Sequence, residues 1–150
     1  MTHWIDDRFR ESQEHEERET QITNEQVQSY EGLSDRIRLD TDRANKICKW
    51  SIKINGNAAL HNRVIEHEGR KFHLTLDKET HTISALGEGV DFRVVLGICN
   101  NGGVCLKNAE GNEVPIQEAS QAILDPFLFP HLTPESKAAL TKRIWAKLGQ

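Results

Sequence analysis

The stretch at residues 63–108, RVIEHEGRKFHLTLDKETHTISALGEGVDFRVVLGICNNGGVCLKN, decides the fold. Its apolar positions recur every second residue, the period of a half-buried strand. Its turn residues set the registers. Glu68-Gly69-Arg70-Lys71 reads as a hairpin tip that places His67 opposite Phe72 and Ile65 opposite Leu74. Asp77-Lys78-Glu79-Thr80 reads as a second tip, with Leu76 opposite His81 and Leu74 opposite Ile83. Both registers put Ile65, His67, Phe72, Leu74, Leu76, His81, Ile83 and Ala85 on one face, with Glu66, His73, Thr75, Thr82 and Ser84 on the other. Gly87-Glu88-Gly89 turns the chain into residues 90–98, whose Phe92, Val94, Leu96 and Ile98 alternate toward a core. Asn100-Asn101-Gly102 suits a three-residue loop with Gly102 left-handed, which pairs Ile98 with Val104 and Leu96 with Leu106. An antiparallel meander of four strands is expected, with a short fifth around Glu113-Val114.

Helical patterns flank the sheet. Residues 3–31 contain neither Pro nor Gly and are dominated by Glu, Gln and Arg, with opposite charges at i, i+4 such as Glu14 and Arg18. From Ile22 the stretch turns amphipathic through Val27, Tyr30, Leu33, Ile37, Ala44 and Ile47. Gly32 interrupts it, so helix is expected over 3–31 and again over 33–48. Over residues 50–54, Trp50, Ile52 and Ile54 alternate with Lys49, Ser51 and Lys53, which favours an extended segment over a continued helix. After the sheet, Pro115 opens a helix carrying Ile116, Ala119, Ala122 and Ile123, and Asp125-Pro126 is expected to stop it. Phe127-Leu128-Phe129-Pro130 is too apolar for a free loop and should press on the sheet. Thr133-Pro134-Glu135 reads as the start of a last helix with Leu140, Ile144 and Leu148 in line. Helix, then strands, then helix is the signature of an α+β fold. The expected organisation is an acidic helical arm at residues 1–31 and a single α+β domain at 32–150: a four- to five-stranded antiparallel β-meander packed by helices, the last of them C-terminal.

Composition narrows the classes. The chain has 150 residues, 37% of them hydrophobic and 28% charged, which suits one globular core. No apolar run approaches the roughly 18–20 residues of a membrane span. The charged first 21 residues do not read as a signal peptide. Three cysteines, Cys48, Cys99 and Cys105, are an odd number, and reduced thiols in a cytoplasm are the expected state. Charge is unevenly spread. Residues 1–40 hold 11 acidic and 5 basic side chains, and the remainder 12 acidic and 14 basic. The net charge of −4 argues against general nucleic-acid binding. The basic clusters, Lys46, Lys49 and Lys53 near Trp50 and Lys137, Lys142, Arg143 and Lys147 near Trp145, are modest.

Catalytic motifs are not evident. His61, His67, His73 and His81 fall within 21 residues. In the expected register, however, His67 and His81 lie two strands apart, roughly 9–10 Å, and His73 faces the other way. They read as partly buried sheet histidines, and no metal ligand set or cofactor is expected from them. Cys99 and Cys105 flank one turn and come within reach of each other, without a CxxC pair to suggest a zinc ribbon. Asn100-Asn101-Gly102-Gly103 lacks the Lys-Ser/Thr of a phosphate loop and reads as a hairpin turn. Glu66, Glu68, Asp77, Glu79, Glu88 and Asp91 sit at or near turns, where solvated charge is ordinary.

The tip of the arm is what ordinary folding explains least. Trp4, Ile5 and Phe9 lie on adjacent helical positions. A continuous helix over residues 10–21 would hold them about 18 Å from the body. Such a cluster either folds back onto its own core or is covered by a partner. The expected role is therefore a non-enzymatic interaction or adaptor protein, with Trp4, Ile5 and Phe9 as the partner-binding residues and a second copy or another protein as partner. The main alternative is a ligand-binding or enzymatic domain using the sheet face near His67 and His81. In size, acidity and element order the chain is also similar to secretion chaperones, small acidic α+β dimers that bind unfolded segments, and this resemblance implies a third role without a shared motif.

Overall fold

A computed structural model describes residues 3–57 and 61–132. Helix α1 (Trp4–Cys48) precedes six strands, β1 (Lys53–Asn57), β2 (Asn62–His67), β3 (Arg70–Asp77), β4 (Thr82–Gly87), β5 (Val90–Ile98) and β6 (Val104–Lys107), and helix α2 (Ile116–Leu128) follows. The fold is α+β, and the sheet has six strands rather than the four or five expected. Each strand pairs antiparallel with its sequence neighbour, in the order β1-β2-β3-β4-β5-β6. The helix expected from Thr133 lies outside the described residues.

Helix α1 runs 45 residues without a break, about 67 Å. His3 caps its start, Nδ1 accepting from the Ile5 N–H at 3.2 Å. The interruption expected at Gly32 does not occur, because Tyr30 and Leu33 on either side are both buried in the core and hold the helical path. The helix ends at Lys49, which takes the left-handed conformation with φ 60°. Asn45 then clamps the departing chain. Its Oδ1 accepts from Ile52 N at 2.8 Å and its Nδ2 donates to Ile52 O at 3.2 Å. The helix thus does not continue through residues 50–54, and Lys53 and Ile54 already belong to β1, the outcome that the alternation of Trp50, Ile52 and Ile54 favoured.

Two hairpin registers differ from expectation by two residues. The β2–β3 turn is the tight pair Glu68-Gly69, both left-handed with φ 52° and 78°, so His67 pairs with Arg70 and Ile65 with Phe72. In β3–β4, Asp77 pairs with Thr82, Leu76 with Ile83 and Leu74 with Ala85. A slip of two keeps every side chain on its face, so Ile65, His67, Phe72, Leu74, Leu76, Ile83 and Ala85 are buried as anticipated. The β5–β6 hairpin has the expected pairs, Ile98 with Val104 and Leu96 with Leu106, with Gly102 at φ 85°. In place of a further strand at Glu113-Val114 there is a single bridge between Glu113 and Lys107.

Both helices cover one face of the sheet. Tyr30, Leu33 and Ile37 from α1 and Ala119, Ile123 and Phe127 from α2 join the buried strand residues in one core. Asp40 ties the helices together, accepting from Ser120 Oγ at 2.7 Å while its carboxylate meets Arg36 at 3.3 Å. Pro126 does not stop α2, which continues to Leu128. A proline in a helix interior costs about 3 kcal/mol. The turn after it buries Phe127, edge-on to Phe72 at 4.8 Å, and Leu128, and each such side chain contributes about 1.5–3 kcal/mol.

Candidate functional sites

The tip of α1 leaves three large apolar side chains exposed. Among the described residues, the polar contacts from the arm to the sheet include those at Glu19, whose carboxylate lies 2.9 Å from His81 Nε2, and at Gln21, whose Nε2 donates to Gly102 O at 2.8 Å. Beyond them Trp4 is 68% exposed, Ile5 53% and Phe9 64%. Among the described residues, Trp4, Ile5 and Phe9 are not part of the buried core. About five helical turns separate Trp4 from Ile22, so the two side chains stand in line on α1. The apolar tip thus presents the same side of the helix that, further along, is packed on the sheet.

The histidines are dispersed by the structure. His67 is buried at the β2–β3 end, its ring 4.5 Å from Trp50 and 6.5 Å from Phe127. His81 sits at the far end of β3, left-handed at φ 55°, with Nδ1 3.0 Å from Gln26 Oε1. The eight residues of β3 put about 25 Å between those two ends, instead of the 9–10 Å of the expected register. His73 is exposed on the opposite face, across from Val64.

A different cluster forms at the β5–β6 edge. Cys105 pairs with Gly97, and Cys99 follows two positions along, so both thiols project from the sheet face opposite α1 and α2. Asn108 organises the next turn, its Oδ1 accepting from the N–H groups of Glu110 and Asn112 at 3.1 and 2.9 Å, with Gly111 left-handed at φ 80°. That turn returns the chain so that Glu113 pairs with Lys107 on the same face as Cys105. The Cys99 and Cys105 sulfurs and a Glu113 carboxylate oxygen all lie within 4.8 Å of one another, the one such group among the described residues. Cys99 donates its S–H to Gly103 O at 2.9 Å. Burial, then contact with Cys99, then the Glu113 carboxylate push the Cys105 thiol up to about 12, with the Lys107 ammonium pulling it the other way. At Gly97 an added Cβ would stand 2.9 Å from Lys107 Cδ, so the lysine stem crosses the space this glycine leaves. A polar cleft of about 280 Å³ adjoins the group, lined by Cys99, Asn100, Lys107, Gly111, Asn112 and Glu113. The approach of the two cysteines across their turn is visible in the sequence. Glu113 is not, because its place depends on the Asn108 turn.

No helix among the described residues is long and apolar enough to cross a membrane. Comparison with protein-family models, with curated proteins and with solved structures finds no match to this chain.

Proposed function

We propose that this protein is a non-enzymatic interaction module of the cytoplasm that self-associates through the tip of α1. The observation that carries this reading is the exposure of Trp4, Ile5 and Phe9 together near the start of one long helix, N-terminal to the Glu19–His81 contact with the sheet. Water is a poor environment for so large an apolar group, and covering it is worth about 25 cal/mol per Å² before ordering costs. A second copy is a fitting cover. The tip carries both signs of charge, Asp6 close to Arg8 and Arg10, so two tips meeting antiparallel set acid against base while their apolar faces close.

Light scattering on the full chain across a concentration series tests this. A dimer is expected, reverting to monomer in the Trp4→Ser, Phe9→Ser double variant. A full chain that stays monomeric throughout, or a double variant that still dimerises, overturns self-association through the tip.

A further inference from the structure

We propose that Cys99, Cys105 and Glu113 form a zinc(II) site on the sheet face opposite α1 and α2, with Lys107 balancing its charge. The donor set fits that ion. Zinc takes thiolate sulfur at about 2.3 Å and carboxylate oxygen at about 2.0–2.2 Å, so donors around a tetrahedral zinc stand roughly 3.5–3.8 Å apart. The three donors already lie within 4.8 Å, and small side-chain rotations close the difference. Two soft sulfurs alone would also suit copper(I). A carboxylate oxygen as third donor favours the borderline zinc(II).

Charge points the same way. Two thiolates and a carboxylate carry three negative charges, which the dication and the Lys107 ammonium cancel. Entry of the metal displaces the protons of the two thiols to solvent, including the one that Cys99 now donates to Gly103 O. The fourth coordination position opens on the cleft beside Asn100 and Asn112, where a water molecule completes the tetrahedron. The bound ion would clip the β5–β6 hairpin to the turn that follows it, and this is independent of the tip of α1.

The test is a titration of the reduced, metal-free full chain with cobalt(II), followed by displacement with zinc(II). One equivalent of cobalt is expected, with a thiolate charge-transfer band in the near ultraviolet and the strong visible bands of a four-coordinate ion. Cys99→Ser and Cys105→Ser should lose the band, and Cys48→Ser should keep it. Glu113 is exposed, so Glu113→Gln does not threaten folding, and it should weaken zinc binding at least about tenfold. Circular dichroism checks that the serine variants remain folded. If they do not, Glu113→Gln and Cys48→Ser still decide. Absence of the thiolate band in the full chain overturns the site. So does unchanged affinity in Glu113→Gln, or a reduced chain that binds no metal and merely forms a Cys99–Cys105 disulfide in air.

Discussion

The Tyr30 hydroxyl donates to the Leu74 carbonyl at 2.7 Å, joining the middle of α1 to the central region of the sheet. Both residues are fully buried, so the phenol has no water with which to share its charge if it ionises. Burial pushes the Tyr30 hydroxyl up to about 12, opposed in part by the Arg63 guanidinium.

Alkaline stability should therefore depend on Tyr30. A tyrosine in the unfolded chain titrates near 10, so between about pH 10 and 12 the unfolded state has released a proton that the folded state still holds. Stability is full below pH 10 and falls as pH rises toward 12, by on the order of 2 kcal/mol. Tyr30→Phe should cost about 1 kcal/mol at neutral pH and flatten that part of the alkaline slope. Urea midpoints of both chains from pH 8 to 11.5 measure it.

Neighbouring positions on β3 should respond oppositely to truncation. Leu74→Ala empties a fully buried site and should cost about 2–5 kcal/mol. Thr75 is on the face opposite α1 and α2, and Thr75→Ala should stay within about 0.5 kcal/mol. Denaturant midpoints decide, and equal effects would contradict the facing of β3.

Gly32→Ala should stabilise the protein. Its added methyl would meet Ile116 Cδ1 at 3.5 Å, an ordinary contact, while the helix gains about 0.5–1 kcal/mol of intrinsic preference. Gly87→Ala is the contrasting case. There a Cβ would lie 2.3 Å from the Lys71 carbonyl oxygen, a backbone atom that cannot move aside, and the melting temperature should fall.

Removing residues 1–16 should leave the thermal melt of the body unchanged, because the contacts of Glu19 and Gln21 with the sheet are kept. Removing 1–21 instead deletes both contacts and should lower the melting temperature by a few degrees at most, since exposed pairs contribute about 1 kcal/mol or less. A body that unfolds on loss of residues 1–16 would mean that the tip belongs to the fold.

Much of the sheet was legible in the sequence because turn chemistry and alternation act locally. Asn100-Asn101-Gly102 has one comfortable conformation, and the β5–β6 pairing follows from it. Glu68 misled because a glutamate at φ 52° is unfavourable, and only the tight fit of β2 on β3 holds it there. Gly32 and Pro126 are local helix breakers overruled by the burial of Leu33 and Phe127, a tertiary effect with no local signature. The same holds for the sites. The tip was legible as an apolar cluster set apart along the sequence, whereas Glu113 reaches Cys99 and Cys105 only through the five-residue turn that Asn108 organises.

The meander has a consequence for how the chain is made. Every strand pairs with its predecessor, so the sheet can grow hairpin by hairpin as it leaves the ribosome, closing only short loops. Helix α1 has no such convenience. Tyr30 waits 44 residues for Leu74, and Asp40 waits 80 residues for Ser120. At about 5–20 residues per second, the second interval lasts roughly 4–16 s. For that time the apolar stripe of α1 is bare, and the face that ends as core is in need of shelter during synthesis.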